Sequence, residues 1–72
     1  MTTKLLIVKS GDFYVRFGEQ SYTLTDMNKA SVFPIDKVID IRRKISNLYA
    51  VGLKDADIRL LTIFEEQFRE DE

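Results

Sequence analysis

Few side chains in this sequence have the types and spacing that polar chemistry needs. Three cations stand together at Arg42-Arg43-Lys44 within the segment DIRRKI, two carboxylates flank Ala56 as Asp55 and Asp57, and two more adjoin at Glu65-Glu66. A run of cations suits a phosphate backbone, a D-x-D pair offers hard oxygen ligands to Mg²⁺, and a serine hydroxyl needs a base beside it to act as a nucleophile. The chain has no histidine and no cysteine. The usual general base near neutral pH and the thiol nucleophile are therefore missing. Ser10, Ser21, Ser31 and Ser46 have no imidazole to activate them, and neither a G-x-S-x-G elbow nor a Gly-rich phosphate loop occurs. Asp55 and Asp57 lack further acids at calcium-loop spacing and read as the end of a turn and the start of a strand; Glu65 and Glu66 would join them only through the tertiary fold. The expectation is a protein that is not an enzyme and has no metal or cofactor site.

The elements around these residues follow from periodicity. KLLIVK, residues 4–9, is rich in branched side chains and reads as a strand. Ser10-Gly11-Asp12 is a turn, and FYVRF, residues 13–17, alternates with Phe13, Val15 and Phe17 on one face and Tyr14 and Arg16 on the other. After a second turn at Gly18-Glu19-Gln20, SYTLT (21–25) is a weaker strand. Residues 25–29 form a loop or a single helical turn capped by Thr25 or Asp26. ASVF (30–33) is a short strand, and Pro34 suits the first position of a helix that runs from about 35 to 50, with Asp36 in its first turn and Gly52 as its left-handed stop. LKDAD is a loop, and IRLLTIF (58–64) is a last strand that is apolar on both faces. The order β-β-(β)-(β)-α-β predicts an α+β fold: one domain over 1–72, with a small, mostly antiparallel sheet against one helix.

On that helix the apolar positions Ile35, Val38, Ile39, Ile41, Ile45, Leu48 and Tyr49 gather within about half the circumference at 100° per residue. Three consecutive residues cannot share a face, so the cations of DIRRKI diverge. Arg42 falls at the edge of the apolar stripe, where its stem lies on the core. Arg43 and Lys44 fall on the polar face, within reach of Asp40 for ion pairs of about 0.2–0.5 kcal/mol each. The run therefore reads as the solvated side of a scaffold helix, with Arg42 kept as a rim contact.

Composition bounds the rest. Seventy-two residues, 44% apolar and 32% charged, describe a folded chain with a small core and no disulfide. Such chains gain stability by self-association or by binding a partner. The apolar run near residue 5 is too short for a signal peptide or a membrane span, so a cytoplasmic location is expected. The net charge of −1 argues against a general nucleic-acid binder. Residues 1–64 carry ten Lys/Arg against seven Asp/Glu, whereas 65–72 carry five acids against Arg69. That acidic tail reads as a solvated, frayed end.

One helix covers one face of a sheet. Tyr14 and Arg16 then point away from it, sharing the other face with Leu5/Ile7 or Leu6/Val8 and with Leu61/Ile63 or Leu60/Phe64. Aliphatics mixed with Tyr and Arg have the composition of a protein interface. The alternative is that Phe68 of the tail, or the loop 19–29, folds over them. The expected partner-binding residues are Tyr14, Arg16, Leu61 and Ile63, with Arg42, Glu65 and Glu66 at the margin; the expected partner is another protein or a second copy of the chain.

The order VKSGDFYVRF, LTDMNKASVFPIDKVIDI and ADIRLLTIFEE, from about Lys4 to Glu66, resembles short uncharacterised proteins of Gram-positive bacteria and their phages. In these a strand pair precedes an A-x-x-F strand, a helix and a final strand. Pro34 stands where such sequences usually offer a Ser or Asp cap. The resemblance carries no catalytic residue. It implies action by binding, including as a phage-encoded inhibitor of a host nuclease or other defence protein, with a small homo-oligomeric structural protein and a weak nucleic-acid binder as the competing readings.

Overall fold

In the computed structural model, which describes residues 1–69, the chain is an α+β fold with five antiparallel strands and one helix. The strands are β1 (Thr2–Ser10), β2 (Phe13–Phe17), β3 (Tyr22–Thr25), β4 (Val32–Pro34) and β5 (Asp57–Phe64), with α1 (Val38–Ala50) between β4 and β5. The central strand is β1. β5 pairs with it along one edge through eight residue pairs, from Thr2↔Phe64 to Lys9↔Asp57. Its other edge is shared: β4 takes Leu5–Ile7, and β2 takes Lys9 and Ser10. β3 extends the sheet beyond β2.

The expected β1–β2 hairpin is thus present but short. Gly11 holds a φ of 59°, the positive value that a two-residue II′ loop needs at its first position. Only Lys9↔Tyr14 and Ser10↔Phe13 pair before the strands part. Beyond them the segment leading into β4 bonds to β2: the Ser31 N–H donates to the Val15 carbonyl at 3.2 Å, and the Phe17 N–H donates to Ser31 Oγ at 2.9 Å. A three-residue strand has been wedged into the gap of a splayed hairpin.

The phase of the β1–β5 ladder follows from one bond. The Glu65 N–H donates to the Met1 carbonyl at 3.0 Å, and these two residues continue the register as an opposed pair. Antiparallel pairs alternate between bonded and non-bonded, so odd-numbered residues of β1 turn their backbone groups toward β5 and even-numbered ones toward β4 and β2. Pro34, opposite Leu5, therefore stands at a site where no N–H is asked of it. This corrects the sequence-based placement of Pro34 at the start of the helix. Its φ of −62° suits either role, but its ψ of 155° is that of a strand. A 3-10 turn, Ile35–Lys37, then leads into α1.

Residues 27–29 form one 3-10 turn, capped by Asp26, which accepts from the Lys29 N–H at 3.2 Å. α1 closes with a Schellman motif: Gly52 takes a φ of 102°, its N–H bonds to the Tyr49 carbonyl, and the Leu53 N–H bonds to the Leu48 carbonyl at 2.9 Å. Leu53 then packs against the core. That core lies between α1 and one sheet face and comprises Leu6, Val8, Val15, Ile41, Ile45, Leu48 and Ala56, flanked by Phe17, Phe33, Val38 and Ile58.

Ile35 and Ile39, placed on the buried stripe from the sequence, are exposed, Ile39 at 64%. The 3-10 turn breaks the 100° period at Ile35, and Ile39 lies 100° from Val38 on the side away from Ile41, Ile45 and Leu48. The sheet is too narrow to cover so wide an arc.

Two polar contacts tie the loop after α1 to the rest. Ser10, buried at the end of β1, donates its hydroxyl to Asp55 Oδ1 at 2.6 Å. The Tyr49 hydroxyl donates to the Ala56 carbonyl at 2.9 Å. Asp55 thus serves as an acceptor that clamps the hairpin end. Ser10→Ala is expected to cost about 1–2 kcal/mol, the worth of a hydrogen bond to a charged acceptor. Thermal unfolding should then show a midpoint lower by about 4–16 °C for a domain of this size.

Candidate protein-binding surface

Strand alternation and membership of the core divide the sheet into two faces. Leu6, Val8, Val15, Phe17, Phe33 and Ile58 point to α1. The opposite face therefore carries Leu5, Ile7 and Lys9 of β1, Tyr14 and Arg16 of β2, Val32 and Pro34 of β4, and Arg59, Leu61 and Ile63 of β5. Among the described residues, α1 packs on the other face and leaves this one uncovered by an α-helix. Phe68, expected as a possible cover, is 85% exposed. The turn 27–29 lies against β2 and leaves Met27 largely open.

The register arranges this face in rows across the strands. One row runs Thr25, Tyr14, Lys9, Asp57; the next Val32, Ile7, Arg59; the next Pro34, Leu5, Leu61; and the last Thr3, Ile63. Ile7 is fully buried, although it stands outside the helix-side core, because its own face is crowded by Val32 and Arg59 across the strands and by Leu5 and Lys9 along β1. Around it Val32, Leu61 and Ile63 form an apolar strip that is half open to solvent. Cations border the strip at one end. Lys9 Nζ lies 5.6 Å from the centre of the Tyr14 ring, and Arg59 Nε lies 3.3 Å from Asp57 Oδ2. The second pair is more than half exposed on both sides, so it orients the guanidinium while adding little stability.

The residues expected from the sequence are only partly brought together. Tyr14, Arg16, Leu61 and Ile63 do share the open face, joined by Leu5 and Ile7 rather than by Leu6 and Val8. Tyr14 lies in the Lys9 row and Ile63 in the Thr3 row, however, about 20 Å apart along β1 at the rise of a strand. Arg42 is elsewhere, in a shallow groove between α1 and the start of β5 lined by Ile45, Tyr49 and Ile58 on the helix side. Glu65 prolongs the β1–β5 ladder by one bond, and Glu66 follows it, exposed and outside any strand. Glu70, Asp71 and Glu72, the rest of the acidic tail, lie outside the described residues.

Lys9, Val32 and Arg59 were not singled out in the sequence. Lys9 was recoverable from the parity of β1 once one face was assigned. Val32 and Arg59 were not, because they reach Ile7 only through pairings 25 and 52 residues distant in the chain.

Several of the other polar groups singled out in the sequence are taken up by contacts within the fold. No ion pair forms between Asp40 and Arg43 or Lys44 among the described residues, contrary to the i+3 and i+4 expectation. Lys44 instead places its Nζ 5.3 Å from the centre of the Phe17 ring, half-buried over the β2–β3 side. A cation held on an aromatic face at a partly desolvated site outweighs an exposed helix pair. Lys44 and Phe17 border a half-open concavity of about 440 Å³ between α1 and the turn Gly18–Ser21. Asp55 and Asp57 are engaged by Ser10 and Arg59, and no group of three or more acidic side chains gathers to hold a metal among the described residues. No described helix is long and apolar enough to cross a membrane.

No family model, curated protein or solved structure matches this chain.

The face assignment separates two substitutions on adjacent strands. Ile7→Ala removes a fully buried side chain and should cost about 2–4 kcal/mol, whereas Val32→Lys, whose Cβ already faces solvent, should change stability by less than about 1 kcal/mol. Urea unfolding of the two variants checks the contrast.

Proposed function

We propose that the chain is a binding module that presents the helix-free face of its sheet to another protein. The observation carrying this reading is the strip of Val32, Leu61 and Ile63 over a sealed Ile7, half open to solvent among the described residues and bordered by Tyr14. An aliphatic centre beside an aromatic and several cations is the composition of an interface core and its rim. Lys9, Arg16 and Arg59 outnumber Asp57 and Glu65 on this face, so the fitting partner is an apolar surface bordered by carboxylates. The partner is defined by that chemistry alone. The residues beneath the strip are held by strand pairing on both edges of β1, so the surface is preformed and little ordering cost falls on binding.

Tyr14→Ala combined with Arg16→Ala tests the reading, because both side chains lie outside the helix-side core. Immobilised wild-type protein should retain a specific partner from a lysate of the source cells. The double variant, with an unchanged circular dichroism spectrum, should bind that purified partner at least about tenfold more weakly. Equal affinity of the two proteins would overturn the proposal.

A further inference from the structure

The outer edge of β5 is a complete, unprotected pairing surface. Because the odd-numbered residues of β5 bond to β1, the backbone N–H and C=O groups of Ile58, Leu60, Thr62 and Phe64 point away from the sheet. Among the described residues no strand pairs with this edge. The ladder behind it runs through eight consecutive pairs without a bulge, and β5 has neither proline nor lysine. Its two charges, Asp57 and Arg59, stand at one end and pair with each other. Edge strands are ordinarily blunted by those missing devices, and an edge this long without them is a template for another strand. The side chains on the same residues agree: Leu60 and Phe64 point to the helix side of the sheet yet are 58% and 64% exposed, beyond the reach of α1.

We propose that this edge pairs with the same edge of a second copy, antiparallel, about a two-fold axis through Leu61. The register follows from two conditions. Opposed residues must lie on the same side of the continuous sheet, and the four outward-facing residues must pair with one another. Setting Leu61 against Leu61 of the second copy meets both. Ile58 then faces Phe64, Leu60 faces Thr62, and the reciprocal pairs complete a ladder of about eight hydrogen bonds, two per bonded pair. Phe64 and Leu60 are covered on the helix side. Leu61 meets its own copy on the open side, a non-bonded pair with the closer Cα separation. Arg59 lies diagonal to Glu65 of the second copy, so the two guanidiniums bridge the one unfavourable opposition, Asp57 to Glu65. An axis through Leu60 would leave the Phe64 backbone groups without an opposed residue in the partner's β5. The edge is thus complementary to itself over its whole length. The axis is perpendicular to the sheet, so the two helix-free faces merge on one side into a single surface.

The absence of native cysteine makes the test direct. Leu61→Cys should oxidise to a disulfide-linked dimer, while Val51→Cys, exposed at the end of α1, should remain monomeric on the same gel. Faster cross-linking of Leu60→Cys than of Leu61→Cys would overturn the register. Thr62→Pro removes only an outward N–H and leaves the β1–β5 ladder whole. It should convert a dimer into a folded monomer by sedimentation equilibrium, and should expose the Ile58, Leu60 and Phe64 amides to hydrogen exchange against which the wild type protects them. A wild type that stays monomeric at millimolar concentration would refute the pairing, as would a dimer whose Ile58, Leu60 and Phe64 amides exchange as freely as those of Thr62→Pro. The proposal does not depend on the partner-binding face: Tyr14→Ala with Arg16→Ala leaves this edge intact and should remain dimeric.

Discussion

The structure depends on one strand having both of its edges filled. β1 has paired strands on both sides along its middle, and it achieves this with three partners, none of which fills the same role as another. Its apolar content follows from that position. Leu6 and Val8 are buried against the helix while Ile7 is buried on the opposite face, so a continuous run LLIV is used on both sides at once. In antiparallel sheets a strand with one wet face alternates; β1 departs from this at Ile7, which its own neighbours seal on the open face. Once β1 is fixed, β5 sets the length of the sheet, β4 sets the start of the helix, and the splay of β2 sets the width available to the core.

Much of this is legible in the chain where the determinant is local. Gly11 and Gly52 announce the two positive-φ positions, Asp26 announces its cap, and the alternation of FYVRF announces which side of β2 is buried. The misreadings share a different origin. Pro34 has a φ that suits a helix start and a strand end equally, and only the phase of its pairing with Leu5 decides between them. Ile39 belongs to an apolar set by composition but not by angle, once the 3-10 turn before it has reset the helix. Asp40 has the right spacing to meet Arg43 and Lys44, yet the Phe17 ring takes Lys44 from a strand whose position no helical spacing encodes. The binding face was half legible for the same reason. Parity places Tyr14 with Arg16, and Leu61 with Ile63, but their separation is a matter of register between segments far apart in sequence.

The cation run that stands out in the sequence is distributed by the fold. Lys44 turns toward the β2–β3 side and Arg42 toward the groove beside β5, while Arg43 faces solvent between them. No surface gathers the three charges. The cations that do converge, Lys9 and Arg59, come from separate strands and stand near the apolar strip, where charge selects among partners as well as attracting them. Sequence adjacency and spatial adjacency thus point to different faces of the molecule.

The pairing of β1 with β5 also sets the order in which this chain acquires its structure. The central strand leaves a ribosome ahead of all its partners, and its longest one follows only after the helix and the connecting loop. Until Asp57–Phe64 emerges, one whole edge of β1 has no neighbour, and the contacts completed last span the greatest loop in the chain. Domains dominated by such distant contacts fold slowly for their size. The nascent chain therefore holds one edge of its central strand open until β5 arrives, and closure of the sheet is a step into which the helix has already been delivered.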